Sequence, residues 1–200
     1  MARRATNREI EVKLRIGDTG QIIKDIRRLG ARCDGRVFEQ NTLYDTPDGD
    51  FRRSGRLLRL RVETPARSAL VPAGKGSAVV TSKSPAPAAG GSRYKEKLER
   101  ELAIEHPEKW PAMLRSLGFR AGFSYEKYRT SFRLPGLHLD LDETPVGTFL
   151  ELEGTPRAID RAARSLGFAP GDYLRATYWD LFQADCRRRG RFPKNMRFRA

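Results

Sequence analysis

The stretch Glu9-Ile10-Glu11-Val12-Lys13-Leu14 alternates charged and apolar residues without a break. Successive side chains of a strand point to opposite faces, so Glu9, Glu11 and Lys13 share one face and Ile10, Val12 and Leu14 the other. Two carboxylates about 6.6 Å apart along a strand, with an ammonium next in line, suit a divalent cation and a polyanion held together. A solvated sheet face gives the same alternation. The sorting of charges elsewhere argues for more. Arg59 and Arg61 flank Leu60, Lys127 and Arg129 flank Tyr128, Glu151 and Glu153 flank Leu152, and Lys97, Glu99 and Glu101 share a face. Acid pairs and basic pairs thus fall on different segments. A solvated face has no need of that sorting, whereas a site with metal on one wall and phosphate on another does.

The elements that must position these residues can be read in outline. A strand ends near Ile16-Gly17. Asp18 or Thr19 caps a helix with Ile22, Ile23, Ile26 and Leu29 at helical spacing, stopped by Gly30. Strands follow at 36–44 and 56–63, separated by an Asp45-to-Gly49 turn. Residues 64–76 read as a loop, 78–83 as a short strand and 84–92, rich in Pro, Ala and Gly, as a flexible connector. Another strand is expected at 94–104, then a helix opened by Pro107 with Trp110 in the core, closed by Gly118. Strands at 124–134 and 137–141 are joined by a Pro135-Gly136 turn, and 148–153 is the last strand. Thr155-Pro156 starts a helix, and a final helix is expected from about Asp172 into the basic terminus. The acid-pair strand, helix, Leu-Gly stop and strand of the first half recur in the second (Glu99-x-Glu101, Leu117-Gly118, Tyr125-Glu126), which suggests a duplicated unit with pseudo-twofold symmetry.

These elements predict an α+β fold, a closed eight-stranded antiparallel β-barrel with a charged interior and flanking helices. The inward charges invert the usual small barrel, whose interior is filled by packed side chains. Unpaired, they would cost several kcal/mol per ion, so acid–base pairing, water, metal or ligand must offset the cost.

Two hundred residues fit one domain, read as 1–186, with a basic tail at 187–200. No segment approaches the roughly 18 apolar residues of a membrane span, and no apolar stretch follows Met1-Ala2-Arg3-Arg4 as in a signal peptide. Cys33 and Cys186 stand far apart in the chain, so a reducing cytoplasm is expected. His106 and His138 are isolated and are assigned structural or solvent roles. The net charge of +14 points to anionic partners. Half of it comes from Arg187, Arg188, Arg189, Arg191, Lys194, Arg197 and Arg199. A solvated terminus is the first reading of that tail, and a nucleic-acid contact, with Phe192 and Phe198 as stacking groups, the second.

Taken in order, Glu9-x-Glu11-x-Lys13, Leu58-Arg59-Leu60-Arg61, Thr81-Ser82-Lys83, Lys97-x-Glu99-x-Glu101, Lys127-x-Arg129, Asp140-Leu141-Asp142 and Glu151-x-Glu153 resemble the CYTH family. These are the triphosphate tunnel metalloenzymes, which include thiamine triphosphatases and class IV adenylyl cyclases. The stretch from Phe38 to Pro47 is similar to the bacterial branch labelled cyclase-like. The resemblance spans roughly residues 7 to 182. It implies an eight-stranded tunnel, one or two Mg²⁺ or Mn²⁺ ions and a linear triphosphate substrate. By position it makes Glu9, Glu11, Asp140, Glu151 and Glu153 metal ligands, with Asp142 as a substitute or aid for Asp140. Lys13, Arg59, Arg61, Lys83, Lys97, Lys127 and Arg129 become substrate contacts.

The residue types suit those roles. Mg²⁺ prefers oxygen ligands and bridges carboxylates to phosphates, and Arg forks match phosphate bidentately. Lys13 and Glu11 are the residues expected to act in the reaction, Lys13 in proton transfer and Glu11 among the acids that orient a water. The expected activity is hydrolysis of tripolyphosphate or of an organic or nucleoside triphosphate. The alternative is a cyclase that turns ATP into cyclic AMP and pyrophosphate. A non-catalytic polyphosphate- or RNA-binding module is third.

Overall fold

The computed structural model describes residues 7–87 and 92–199. The strands are β1 (Asn7–Ile16), β2 (Arg32–Asp45), β3 (Leu57–Ala66), β4 (Ser77–Pro85), β5 (Lys95–Ala103), β6 (Arg120–Leu134), β7 (Leu137–Thr144) and β8 (Gly147–Gly154). The helices are α1 (Thr19–Arg28), α2 (Asp50–Arg53), α3 (Trp110–Ser116), α4 (Pro156–Ser165) and α5 (Tyr178–Arg188). All eight strands close into one antiparallel barrel in the order β1-β5-β4-β3-β2-β6-β7-β8. Exchanging β1 with β5, β2 with β6, β3 with β7 and β4 with β8 reproduces every pairing in that ring. The duplication suggested by the acid-pair strands is therefore present in the topology.

The alternating pattern decides which face goes where. Val12, Leu14 and Ile16 of β1 point outward, with Leu139 and Leu141 of β7 and Leu150 and Leu152 of β8. They meet Ile22, Ile23 and Ile26 of α1 and Ile159, Ala162 and Ala163 of α4. This core lies outside the barrel, between its wall and the helices. Each fully buried Leu or Ile there contributes about 1.5–3 kcal/mol. Asp18 caps α1 by accepting from Gln21 N at 2.9 Å, and Thr155 caps α4 by accepting from Ala158 N at 3.3 Å. A separate cluster of Tyr44, Leu60 and Leu114 joins α3 to the wall, with Trp110 half-buried at its edge.

Several boundaries differ from the sequence reading. Strand β3 continues to Ala66, because the predicted loop at Thr64 and Pro65 stays in register with Phe38 and Val37 of β2. The remainder of that loop doubles back to bridge Arg36 at Ala73. At this bulge a Cβ on Gly35 (φ +119°) would lie 2.5 Å from Gly74 Cα, so only glycine permits the close approach. Strands β6 and β7 are longer than expected at their outer ends. The flexible connector read at 84–92 falls partly at 88–91, outside the described residues.

The last helix starts at Tyr178, not near Asp172. Asp172 closes a short 3₁₀ turn by accepting from Ala169 N at 2.8 Å, and Leu174 N then donates to Lys13 O at 2.8 Å. The chain is thus extended along β1 until Thr177 and Asp180 form a capping box. The basic tail is not simply solvated. Gly190 (φ +64°) turns it back, and Met196 pairs with β6 through Met196 N to Ser124 O (3.0 Å) and Glu126 N to Met196 O (2.9 Å). Met196 is 0% exposed, and Phe198 packs on Tyr128 with ring centroids 5.3 Å apart. Cys33 and Cys186 are both free thiols. Among the described residues no helix is long and apolar enough to cross a membrane.

Candidate functional site: a charged tunnel

The inward faces of the strands line a cavity of about 1620 Å³. Of the candidate residues of the sequence reading, Glu9, Glu11 and Lys13 of β1, Arg59 and Arg61 of β3, Lys83 of β4, Lys97 of β5, Lys127 and Arg129 of β6, Asp140 of β7, and Glu151 and Glu153 of β8 line it, while Asp142 is fully buried beneath Lys127 and Arg129. The register explains the gathering. Lys13 sits opposite Glu151 and Glu11 opposite Glu153, while Asp140 sits opposite Glu151 on the other side. Five carboxylates therefore occupy the contiguous strands β7, β8 and β1. Arg59, Arg61 and Lys83 stand on β3 and β4, separated from β1 by β5.

Acids and bases are paired in detail. Lys83 Nζ donates to both oxygens of Glu9 at 2.6 Å and lies 3.2 Å from Glu99. Lys95 Nζ donates to Glu11 at 2.6 Å. Arg129 is the hub of the acid wall: it donates to Asp142 at 2.7 and 2.6 Å and to Glu151 at 2.5 Å, and it pairs with Asp140 at 2.7 Å. Lys127 donates to Asp142 at 2.8 Å and lies 3.3 Å from Glu39. Lys13 Nζ lies 3.2 Å from Glu151, donates to Ala176 O at 3.2 Å and stands 4.0 Å over the Tyr178 ring. A carboxylate, a carbonyl and a ring face all accept positive charge there. The Tyr178 hydroxyl donates to Asp142 at 2.6 Å, so α5 plugs one flank of the tunnel with a polar contact.

The two guanidiniums of β3 are less committed. Arg59 reaches Thr81 Oγ1 at 3.2 Å and the Tyr125 hydroxyl at 3.4 Å, and its buried Nε meets no acceptor among the described residues. Arg61 is 3.5 Å from Glu101 and 3.1 Å from Glu63. Arg59 is otherwise only 3.7 Å from Glu101, so these guanidiniums keep hydrogen-bonding capacity for an incoming oxygen anion.

The electrostatics follow. Burial, aided by the charges of Glu11 and Glu99, pushes Glu9 up to about 8 against the pull of Lys83. Burial also raises Glu153, with Glu99 adding to it. Burial works against ionised Glu39, but Lys127, Arg129 and Arg61 outweigh it and hold the group at about 2. Likewise Lys13 and Arg129 overcome burial to keep Glu151 well below the usual carboxylate range. Arg129 and His138 do the same for Asp140.

Some site residues were missed by sequence reasoning. Glu39 is 0% exposed and lies opposite Lys127 in the β2–β6 register. Its signal was the polar Glu39-x-Asn41 pair, obscured by the aromatic and β-branched residues around it. Lys95 extends the Lys97, Glu99, Glu101 face by one step and penetrates further than Lys97, whose Nζ donates to Gly55 O at 3.0 Å at the rim. His138, read as structural or solvent-facing, lines the tunnel with Nε2 3.1 Å from Asp140 Oδ1. The hydrogen bond to Asp140 raises its pKa.

The donor set answers whether a metal would fit. The carboxylates of β7, β8 and β1 offer oxygen alone, the chemistry of a hard divalent ion. Among the described residues no three are gathered as a ready-made ligand cluster; Glu9, Glu11, Asp140 and Glu151 each pair with an amine or guanidinium. The residue types fit such an ion, and the side chains stand in their ion-paired arrangement.

The fold is a closed antiparallel barrel whose interior is lined by acids and bases, a charged-tunnel architecture. The chain is a member of the CYTH family, whose domain model matches residues 7–178. It is 27% identical over 146 residues to "Putative adenylate cyclase MJ0240" of Methanocaldococcus jannaschii, covering 72% of this chain and 75% of that one. A Vibrio parahaemolyticus structure of similar name superposes with a TM-score of 0.72 at 20% identity, covering 88% of this chain and 97% of that one. A Hippeastrum protein described as having a dominant triphosphatase activity superposes with a TM-score of 0.58 at 19% identity, covering 92% and 97%.

Proposed function

We propose that the tunnel binds the triphosphate group of its substrate and, with Mg²⁺ or Mn²⁺, hydrolyses the terminal phosphoryl group. One observation carries this reading: Arg59 and Arg61 line the same cavity as the carboxylates of β1, β7 and β8, with Lys83 bridging to Glu9. A packed apolar interior would be cheaper than buried ion pairs, each ion of which costs several kcal/mol to desolvate. Keeping them serves an exchange: phosphate oxygens take the cations, and the released carboxylates take metal.

Glu9, Glu11, Asp140, Glu151 and Glu153 are the oxygen donors that would hold the metal. A divalent ion supplies positive charge against the non-bridging phosphate oxygens. The chain's own residues do the rest. Arg59 and Arg61 grip the phosphates as forks, and Lys83 and Lys127 add point charges. Lys13, held between Glu151 and Tyr178, neutralises charge on the reacting phosphate. Glu11 accepts a hydrogen bond from the attacking water and aims its oxygen at the terminal phosphorus. The water oxygen forms the new P–O bond, and the bridging P–O bond breaks to release diphosphate. Phosphoryl transfer of this loose kind asks for positioning and charge neutralisation more than for a strong base.

A cyclase reading is second, favoured by the tunnel mouth. Phe123 and Trp179 line it half-buried with ring centroids 4.8 Å apart, and Phe123 stacks on Tyr125, whose hydroxyl meets Arg59. This aromatic path leads outward from the phosphate side and suits a stacked base. In that reaction the 3′-hydroxyl of ATP attacks the α-phosphorus and pyrophosphate leaves. A panel of tripolyphosphate, ATP and thiamine triphosphate with Mg²⁺ or Mn²⁺ tests both. Orthophosphate release is the expected product. Cyclic AMP with pyrophosphate replaces the hydrolase by the cyclase, and binding without turnover overturns both.

A further inference from the structure

The returning C-terminal segment builds a second cavity, outside the barrel, of about 540 Å³. It lies between the last turns of α5, the Pro145-Val146 turn and residues 191–199. Its walls carry Arg189, Arg191, Lys194, Arg197 and Arg199, and the single lining carboxylate is Asp185. Asp185 is already claimed by Arg188 at 2.5 Å and Arg189 at 2.8 Å. Among the described residues no ion pair engages Arg191, Lys194 or Arg199. Cations gathered round a cavity repel one another, so the concentration favours an anion. The backbone around them is pinned: Met196 is paired to β6 and fully buried, and Asn195 Oδ1 accepts from Ser124 N at 3.0 Å. Against this basic wall Phe192 is 93% exposed, and Phe182 and Phe198 also line the cavity. A large ring held in water beside unpaired guanidiniums is a stacking platform next to phosphate contacts.

We infer that this cavity binds single-stranded nucleic acid, with Arg191, Lys194 and Arg199 on the phosphodiesters and Phe192 stacked on a base. The inference is independent of the tunnel chemistry. Lys194 also borders the tunnel mouth, so the two anion sites adjoin.

The test is fluorescence anisotropy of a labelled oligouridylate with the full chain, across a range of salt concentrations. Phe192→Ala is expected to weaken binding about fivefold or more. The pair Arg191→Gln and Arg199→Gln is expected to lower the slope of log affinity against log salt by roughly 1.4. The same number of charges removed from the exposed face of α4, by Arg157→Gln and Arg161→Gln, serves as the control and should leave the slope unchanged. An equal fall in slope for the α4 control, or an unaffected Phe192→Ala variant, would each overturn the inference. Circular dichroism confirms that each variant is folded.

Discussion

Replacing Glu39 by glutamine should cost about 3 kcal/mol of stability at neutral pH, and the cost should vanish in acid. Glu39 is wholly buried among Lys127 at 3.3 Å, Arg129 at 3.4 Å and Arg61 at 3.9 Å. These cations hold its carboxyl at about 2 against an ordinary 4.5. At ~1.36 kcal/mol per pH unit, that difference is worth ~3 kcal/mol. A carboxyl whose pKa is lower in the folded chain stabilises it fully above the unfolded value. The stabilisation is lost as pH falls through the window from 4.5 toward 2. Urea unfolding of the wild type and of Glu39→Gln, repeated down that window, reads the difference. The two curves should lie ~3 kcal/mol apart at neutral pH and converge in acid. A gap under about 1 kcal/mol, the worth of an ordinary hydrogen bond, or one that does not change with pH, would refute the claim that this buried network stabilises through its charges.

Other outcomes follow from the same contacts. Tyr178→Phe keeps the ring under Lys13 but removes the 2.6 Å hydrogen bond to Asp142, so urea unfolding should show a loss of about 1–3 kcal/mol. Met196→Ala should cost ~2–4 kcal/mol in the same assay, because the side chain is fully buried against β6. Arg59→Ala should weaken tripolyphosphate binding roughly tenfold to a hundredfold in calorimetry, the worth of one or two hydrogen bonds to a charged group. Chelating divalent ions should abolish turnover yet leave a cooperative thermal transition, since Lys83, Lys95 and Arg129 already balance Glu9, Glu11 and Glu151.

The sequence made the inner face legible wherever alternation ran uninterrupted. Glu9, Glu11 and Lys13, or Glu151 and Glu153, could be assigned to one face because strand periodicity leaves no choice. What pairs with what depended on barrel register, a long-range property. That Lys13 meets Glu151, or that Arg129 spends itself on Asp140, Asp142 and Glu151, is written in no local pattern. Glu39 was hidden because the Glu39-x-Asn41 alternation is short and set among aromatic and β-branched residues. The tail misled for a related reason. Its charge suggested solvation, while docking depends on Met196 and Phe198 finding the edge of β6. The start of α5 was misplaced because Leu174 extends the spacing of Tyr178 and Leu181 but is used to bridge β1.

The most direct test of the tunnel account is a crystal of the protein with Mn²⁺ and a non-hydrolysable triphosphate, with the metal located by its anomalous signal. The account predicts phosphates against Arg59 and Arg61 inside the barrel, and manganese against carboxylates of β1, β7 and β8. Triphosphate bound outside the barrel, with Lys83 still on Glu9 and Arg129 still on Glu151, would contradict it.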